Sequence, residues 1–276
     1  MERLINIDRR IIFVFVFLGV AIPLLVDIHL PIKPTPTVRS VYDEIERISI
    51  EDPDRPVLVS FSYGASTVPE MVPMTRAILR HLFSRGRKVV GICLWPEAVG
   101  IAQPIMDELA AEFGMKYGTD YAFLGYKPGQ HAVVLNLGQS VAGTFPFDTA
   151  GTAIGDLPVL DGAKNLKDFS FVFDFAAGDS MEFWWIPFGQ EKHRFPFAGG
   201  CTAVMAPDLY PFLQSKQLVG LLGGLAGAAE YETIIGVPGS ATAGMEPQSV
   251  THLIIILFIL LGNTVYFMTR RRSGTV

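Results

Sequence analysis

QLVGLLGGLAGAAEYE (Gln217–Glu232) holds four glycines and almost nothing polar between its ends, and three readings compete for it. As a pass through a membrane it is too short. The apolar part, residues 218–229, would give about 18 Å of helix against a hydrocarbon core of about 30 Å. As a phosphate loop it has the wrong spacing. Gly220, Gly223, Gly224 and Gly227 match neither G-x-x-x-x-G-K-[ST] nor G-x-G-x-x-G, and no Lys or Ser follows to meet a phosphate. What remains is two overlapping G-x-x-x-G spacings. On a helix these form a smooth strip on which another backbone lies closely. Each glycine costs a helix about 1 kcal/mol relative to alanine, so close contact must compensate. A packing helix is therefore expected here, laid against the domain's own sheet, a neighbouring subunit or a companion membrane protein.

A third span would also put the two arginine-rich ends on opposite sides of a bilayer. Ile11–Val26 is a run of 16 uncharged residues preceded by Arg3, Arg9 and Arg10. Val250–Met268 is a run of 19 followed by Arg270, Arg271 and Arg272. About 20 apolar residues span a bilayer, and cytoplasmic flanks collect Lys and Arg, so two spans with both termini inside are expected. The small residues that signal peptidase requires are missing from PLLVDIHLP, which makes the first span an uncleaved signal anchor. The expected order is a cytoplasmic tail (1–10), a transmembrane helix (11–28), a spacer with a short helix (29–54), an extracytoplasmic domain (55–249), a second transmembrane helix (250–268) and a basic cytoplasmic tail (269–276). A chain that is 50% hydrophobic and 18% charged suits one folded domain plus a few spans.

The whole chain carries −5, while its ends hold six arginines against Glu2 and Asp8, a net +4. The middle is thus at −9. So acidic a domain is a poor nucleic-acid binder, and that class is excluded. Cys93 and Cys201 each fall in a predicted buried strand and are expected to be reduced core thiols. The five histidines are scattered, and no metal site or cofactor is expected.

Between the ends, strand and helix patterns alternate. RPVLVSFSY, KVVGICLW, DYAFLGY, FSFVFDF and CTAVMA read as strands. RSVYDEIERI, PMTRAILRHLFSRG (stopped by Gly86) and GIAQPIMDELAAEFG (stopped by Gly114) read as helices. Repeats of about 30 residues imply right-handed crossovers and an α/β fold. The expectation is an open, mostly parallel Rossmann-like or flavodoxin-like sheet of about five strands. Phenylalanine at every odd position from Phe169 to Phe175 puts four rings on one face, to be covered by helices or another subunit.

Ligands of such sheets bind beyond the carboxyl ends of the strands. The polar residues expected there are Ser66, Glu97, Lys127, Asp179, Ser180 and Asp208. Asp179, Ser180 and Asp208 also stand where helix N-caps are wanted. Ser66 and Cys93 are the weak nucleophile candidates, neither with a complete hydrolase signature: Trp95 replaces the last glycine of G-x-C-x-G. Lys127, Glu97 and Asp179 are the candidates for binding an anionic or polar ligand. Trp184 and Trp185, within FWWIPF, join the four glycines as candidate interface residues. The composition favours a non-catalytic structural or accessory subunit of a membrane assembly, packed against copies of itself, other membrane subunits and lipid. The alternatives are a tethered ligand-binding or sensing domain and a Ser/Cys hydrolase.

Overall fold

In a computed structural model of the chain, residues 8–26 and 31–273 are described. The expected tail up to residue 7, residues 27 and 28 of the expected first span, and the last three residues of the basic tail lie outside them. The described chain divides into two units, one of residues 32–241 and one formed by the apolar ends.

The larger unit is α/β. Its six-stranded sheet is parallel throughout, in the order β3-β2-β1-β4-β5-β6. The strands are β1 (Val57–Ser62), β2 (Val89–Cys93), β3 (Tyr121–Tyr126), β4 (Phe171–Ala176), β5 (Phe197–Cys201) and β6 (Leu221–Gly223). This is the doubly wound Rossmann order, with β1 and β4 meeting where the winding reverses. Both faces are covered, so the strands read as unbroken apolar runs.

Four of the expected strands stand where their patterns put them, and two elements differ. CTAVMA was expected as a strand, but the strand is FAGGC just upstream, and the two share only Cys201. Two glycines hid it, because they lack the side chains that mark a strand. The sixth strand comes from the glycine stretch itself. Gln217–Glu232 is not one packing helix: it is a loop, the short edge strand β6, and a helix that starts at Gly224.

Helices of this unit fill both faces. The helices of the whole chain used below are α1 (Arg9–Leu25), α2 (Pro36–Glu51), α3 (Val68–Ser84), α4 (Val99–Glu112), α5 (His131–Leu137), α6 (Val141–Thr144), α7 (Ala206–Gln214), α8 (Gly224–Ile234) and α9 (Ser240–Ser273), of which α1 and nearly all of α9 belong to the smaller unit. Gly86 and Gly114 follow α3 and α4 with φ of 65° and 68°, the left-handed turn that the sequence pattern predicts. The expected spacer is shorter than its prolines suggest. Pro36 opens α2 at its first turn, where a missing N–H costs nothing. Val38, Val41, Ile45 and Ile48 of α2 are all buried, so this helix belongs to the folded unit.

Phe171, Phe173 and Phe175 line one sheet face and are fully enclosed by their own unit. Phe61 stacks on Phe175 at 5.4 Å. Phe169 precedes the strand and joins the opposite core, so three rings share the face rather than four. That opposite core is capped by α5 and by a π-helix over Met181–Gln190.

In the smaller unit, α9 carries a segment, Ser240–Met268, long and apolar enough to cross a membrane, with mean hydropathy 2.1. α1 has 17 residues, about 26 Å of helix, and falls short of a full span by itself. The two helices pack against each other and run antiparallel. Phe15 meets Phe258 edge-on at 5.8 Å. A Cβ on Gly19 would collide with Ile254 Cδ1.

Candidate functional site

The reversal point between β1 and β4 is where an open α/β sheet takes its ligand. Three loops form its mouth: residues 63–67 after β1, 94–98 after β2 and 177–180 after β4. Side chains of the protein itself lie across it. A Cβ on Gly64 would overlap Glu97 Oε2, and one on Gly178 would sit 2.7 Å from Trp95 Cζ2. Glu97 and Trp95 thus rest on the backbone of the strand ends, the indole of Trp95 being the harder of the two to displace. The three loops carry Glu97 and Asp179, both exposed, and no lysine or arginine. An acidic mouth of this kind repels a phosphate group.

Ser66, Glu97 and Asp179 therefore come together at the mouth, with Cys93 at the root of one of its loops. Ser66 is exposed in a 3₁₀ turn, and none of the described side chains hydrogen-bonds to it. Cys93 is fully buried, and burial pushes its thiol far above the usual range, away from a nucleophilic thiolate. Burial likewise pushes Cys201 up to about 12. Both cysteines are free. They sit three strand positions apart in the sheet, about 14 Å, which no disulfide bridges.

Lys127 lies elsewhere, past β3 at the sheet edge. Its Nζ donates to the Thr144 carbonyl at the end of α6 and lies 5.9 Å from the Phe145 ring centre. The lysine is engaged in tying two loops together. Nor do the expected caps form. Ser180 precedes the π-helix without a side-chain cap, and Asp208 lies inside α7, whose N-cap is Met205.

The expected interface residues turn inward. Trp185 is fully enclosed and Trp184 is 6% exposed, leaving Phe183 as the ring of that cluster that faces out. The residues after Ser180 wind as a π-helix with i→i+5 hydrogen bonds, and both indoles of this segment are buried. The glycines meet their own domain. A Cβ on Gly220 would lie 2.5 Å from the Thr37 carbonyl of α2, and one on Gly227 would lie 2.9 Å from the backbone of Leu222.

Two buried polar clusters escaped the sequence reading. Asp174 in β4 is wholly buried and accepts hydrogen bonds from Ser180 Oγ (2.5 Å) and Ser62 Oγ (3.1 Å). Burial raises its pKa to about 6, although hydrogen bonds from Ser180, Ser60, Ser62 and Trp185 pull the other way. Its signal was the lone acid inside FSFVFDF, with Ser60 and Ser62 spaced two apart in the neighbouring strand. The second cluster links α2, α3 and α8. His81 reaches Glu46 Oε1 with Nε2 (2.8 Å) and the Tyr231 hydroxyl with Nδ1 (2.7 Å), and stacks on Tyr42. Nothing in the spacing of five scattered histidines pointed to it.

Among the described residues no group of three His, Cys, Asp or Glu could hold a metal. Compared with protein-family models, curated proteins and solved structures, the chain matches none.

Proposed function

We propose that the chain is a non-catalytic accessory subunit of a membrane assembly, anchored by two helices and presenting an acidic Rossmann-like domain outside the membrane. The observation that carries this reading is the antiparallel pairing of α1 with α9 through Phe15, Gly19, Ile254 and Phe258. A short apolar helix is marginal as a lone span, but a paired partner and snorkelling arginines stabilise it. Antiparallel pairing also places Arg9 and Arg10 toward the same end as the arginines after Met268. Such an arrangement agrees with the positive-inside bias, which supports a reading with both termini in the cytoplasm.

Support for a non-catalytic role comes from the mouth of the sheet. Trp95 and Glu97 already lie over the strand ends, and the loops carry negative charge only. Contact with partners then falls to the outward faces of α1 and α9, where Phe13, Phe17, Leu253 and Leu257 are exposed. Lipid and the spans of other subunits both fit such a face.

Native mass spectrometry of the complex extracted in mild detergent tests the reading. A defined multiple of 30.2 kDa, or a stable set with other chains, is expected. A clean monomer would overturn it. The groove of about 420 Å³ bounded by Thr35, Tyr210, Gly223 and Glu230 would then be the first place to screen for a small ligand.

A further inference from the structure

The segment Met181–Gln190 is wound as a π-helix, a rare form whose hydrogen bonds skip one residue more than those of an α-helix. Intrinsic preference does not select it, so tertiary anchors must. Two polar side chains join it to the sheet. Ser180 Oγ, at its entry, donates to Asp174 Oδ2 at 2.5 Å, and Trp185 Nε1 donates to Ser60 Oγ at 3.3 Å. Ser60 and Asp174 are register partners on neighbouring strands. Residues five apart stand about 140° apart around an α-helix. Under i→i+5 bonding they stand closer to one face, so the π winding favours holding Ser180 and Trp185 against the same patch of sheet.

The patch is wholly buried, and among the described residues no cation balances it. On β1 the side chains beside Asp174 are Ser60 and Ser62, and on β5 Gly199 contributes none. From the π-helix and its entry come Met181, Ser180 and Trp185, all buried. The acids nearest along the chain are Asp179, exposed, and Asp168, half-buried, and the π-helix itself adds Glu182, half-buried. Glu70 and His81 belong to α3, which covers the other face of the sheet. We propose that Asp174 is a proton-operated latch, in which the neutral carboxyl holds segment 180–190 in its π winding and the ionised carboxyl favours its release from the sheet.

The direction follows from charge. An ionised carboxyl without a cation is costly in a dry core, and opening of the segment lets water reach it. The raised value of about 6 agrees with this. An ordinary carboxyl, near 3.8 when the segment is open, makes opening about tenfold more favourable at pH 8 than at pH 5.

Hydrogen exchange of the full chain in detergent, corrected for the intrinsic pH dependence of exchange, tests the latch. In the wild type, amides of residues 181–190 should lose about tenfold in protection from pH 5 to pH 8, while those of β1 and β4 hold theirs. Asp174→Asn should abolish the difference, and Ser180→Ala should lower protection of the segment at both pH values. Equal protection of the wild-type segment at both pH values overturns the proposal, even if no variant folds. A pH effect that persists in Asp174→Asn overturns it as well.

Discussion

Gly224 shows how much one residue decides. Its φ of 60° makes the tight turn from β6 into α8, and a Cβ there would lie 2.6 Å from Ala203 Cβ and 3.0 Å from Glu70 Oε2. A leucine would be strained twice, by the left-handed backbone and by the lack of space. Gly224→Leu is expected to destabilise the domain by about 2 kcal/mol or more, read as a lowered unfolding midpoint of the chain in detergent. An unchanged midpoint would show that the turn relaxes freely. His81 carries a pH dependence of its own. Burial lowers its pKa, outweighing the pull of Glu46. Between that lowered value and the usual 6.5 the unfolded chain binds more protons than the folded one. The contribution of His81 to stability should therefore be complete above pH 6.5 and fall as the pH drops below it. His81→Gln should flatten this decline in unfolding curves recorded from pH 5 to pH 7.5.

At the scale of elements, α2 and the pair α1/α9 make opposite uses of amphipathic pattern. The apolar stripe Val38, Val41, Ile45, Ile48 of α2 is buried within its domain, each side chain worth about 2 kcal/mol on burial. Thr35, just before α2, gives both its amide and its hydroxyl to Glu230 Oε2 at 2.7 Å, which ties the entry of the chain to α8. The central parts of α1 and α9 are apolar all round and mostly exposed outside their shared seam. Gly19 lets Ile254 approach there, and a side chain in its place would have to displace Ile254 Cδ1. Gly19→Leu should separate the helices while leaving the α/β domain folded. In a background without Cys93 and Cys201, the pair Phe15→Cys and Phe258→Cys should be joined by a short bifunctional thiol reagent when Gly19 is kept. Adding Gly19→Leu should prevent it, and equal crosslinking with and without that change would exclude the seam. The π-helix is the third case, since its winding depends on the sheet beneath it.

For the whole molecule, the strand order 3-2-1-4-5-6 explains why the candidate residues meet or stay apart. Ser66, Glu97 and Asp179 follow neighbouring strands at the reversal point and so share one mouth. Lys127 follows the edge strand β3 and is kept from them by β2. The alternation of strands and helices, the acidic middle and the apolar ends are local properties, and the sequence by itself determined them. Short-range periodicity and composition suffice there, because each segment must bury its own apolar face. What Gln217–Glu232 becomes was decided only by tertiary structure. Leu221 and Leu222 are a strand because β5 offers a free edge, and Gly224 turns because Ala203 and Glu70 stand where a side chain would go. The inward turn of Trp184 and Trp185, and the burial of Asp174 under Ser180, have the same origin. They depend on which surfaces meet, and no window of sequence contains both partners.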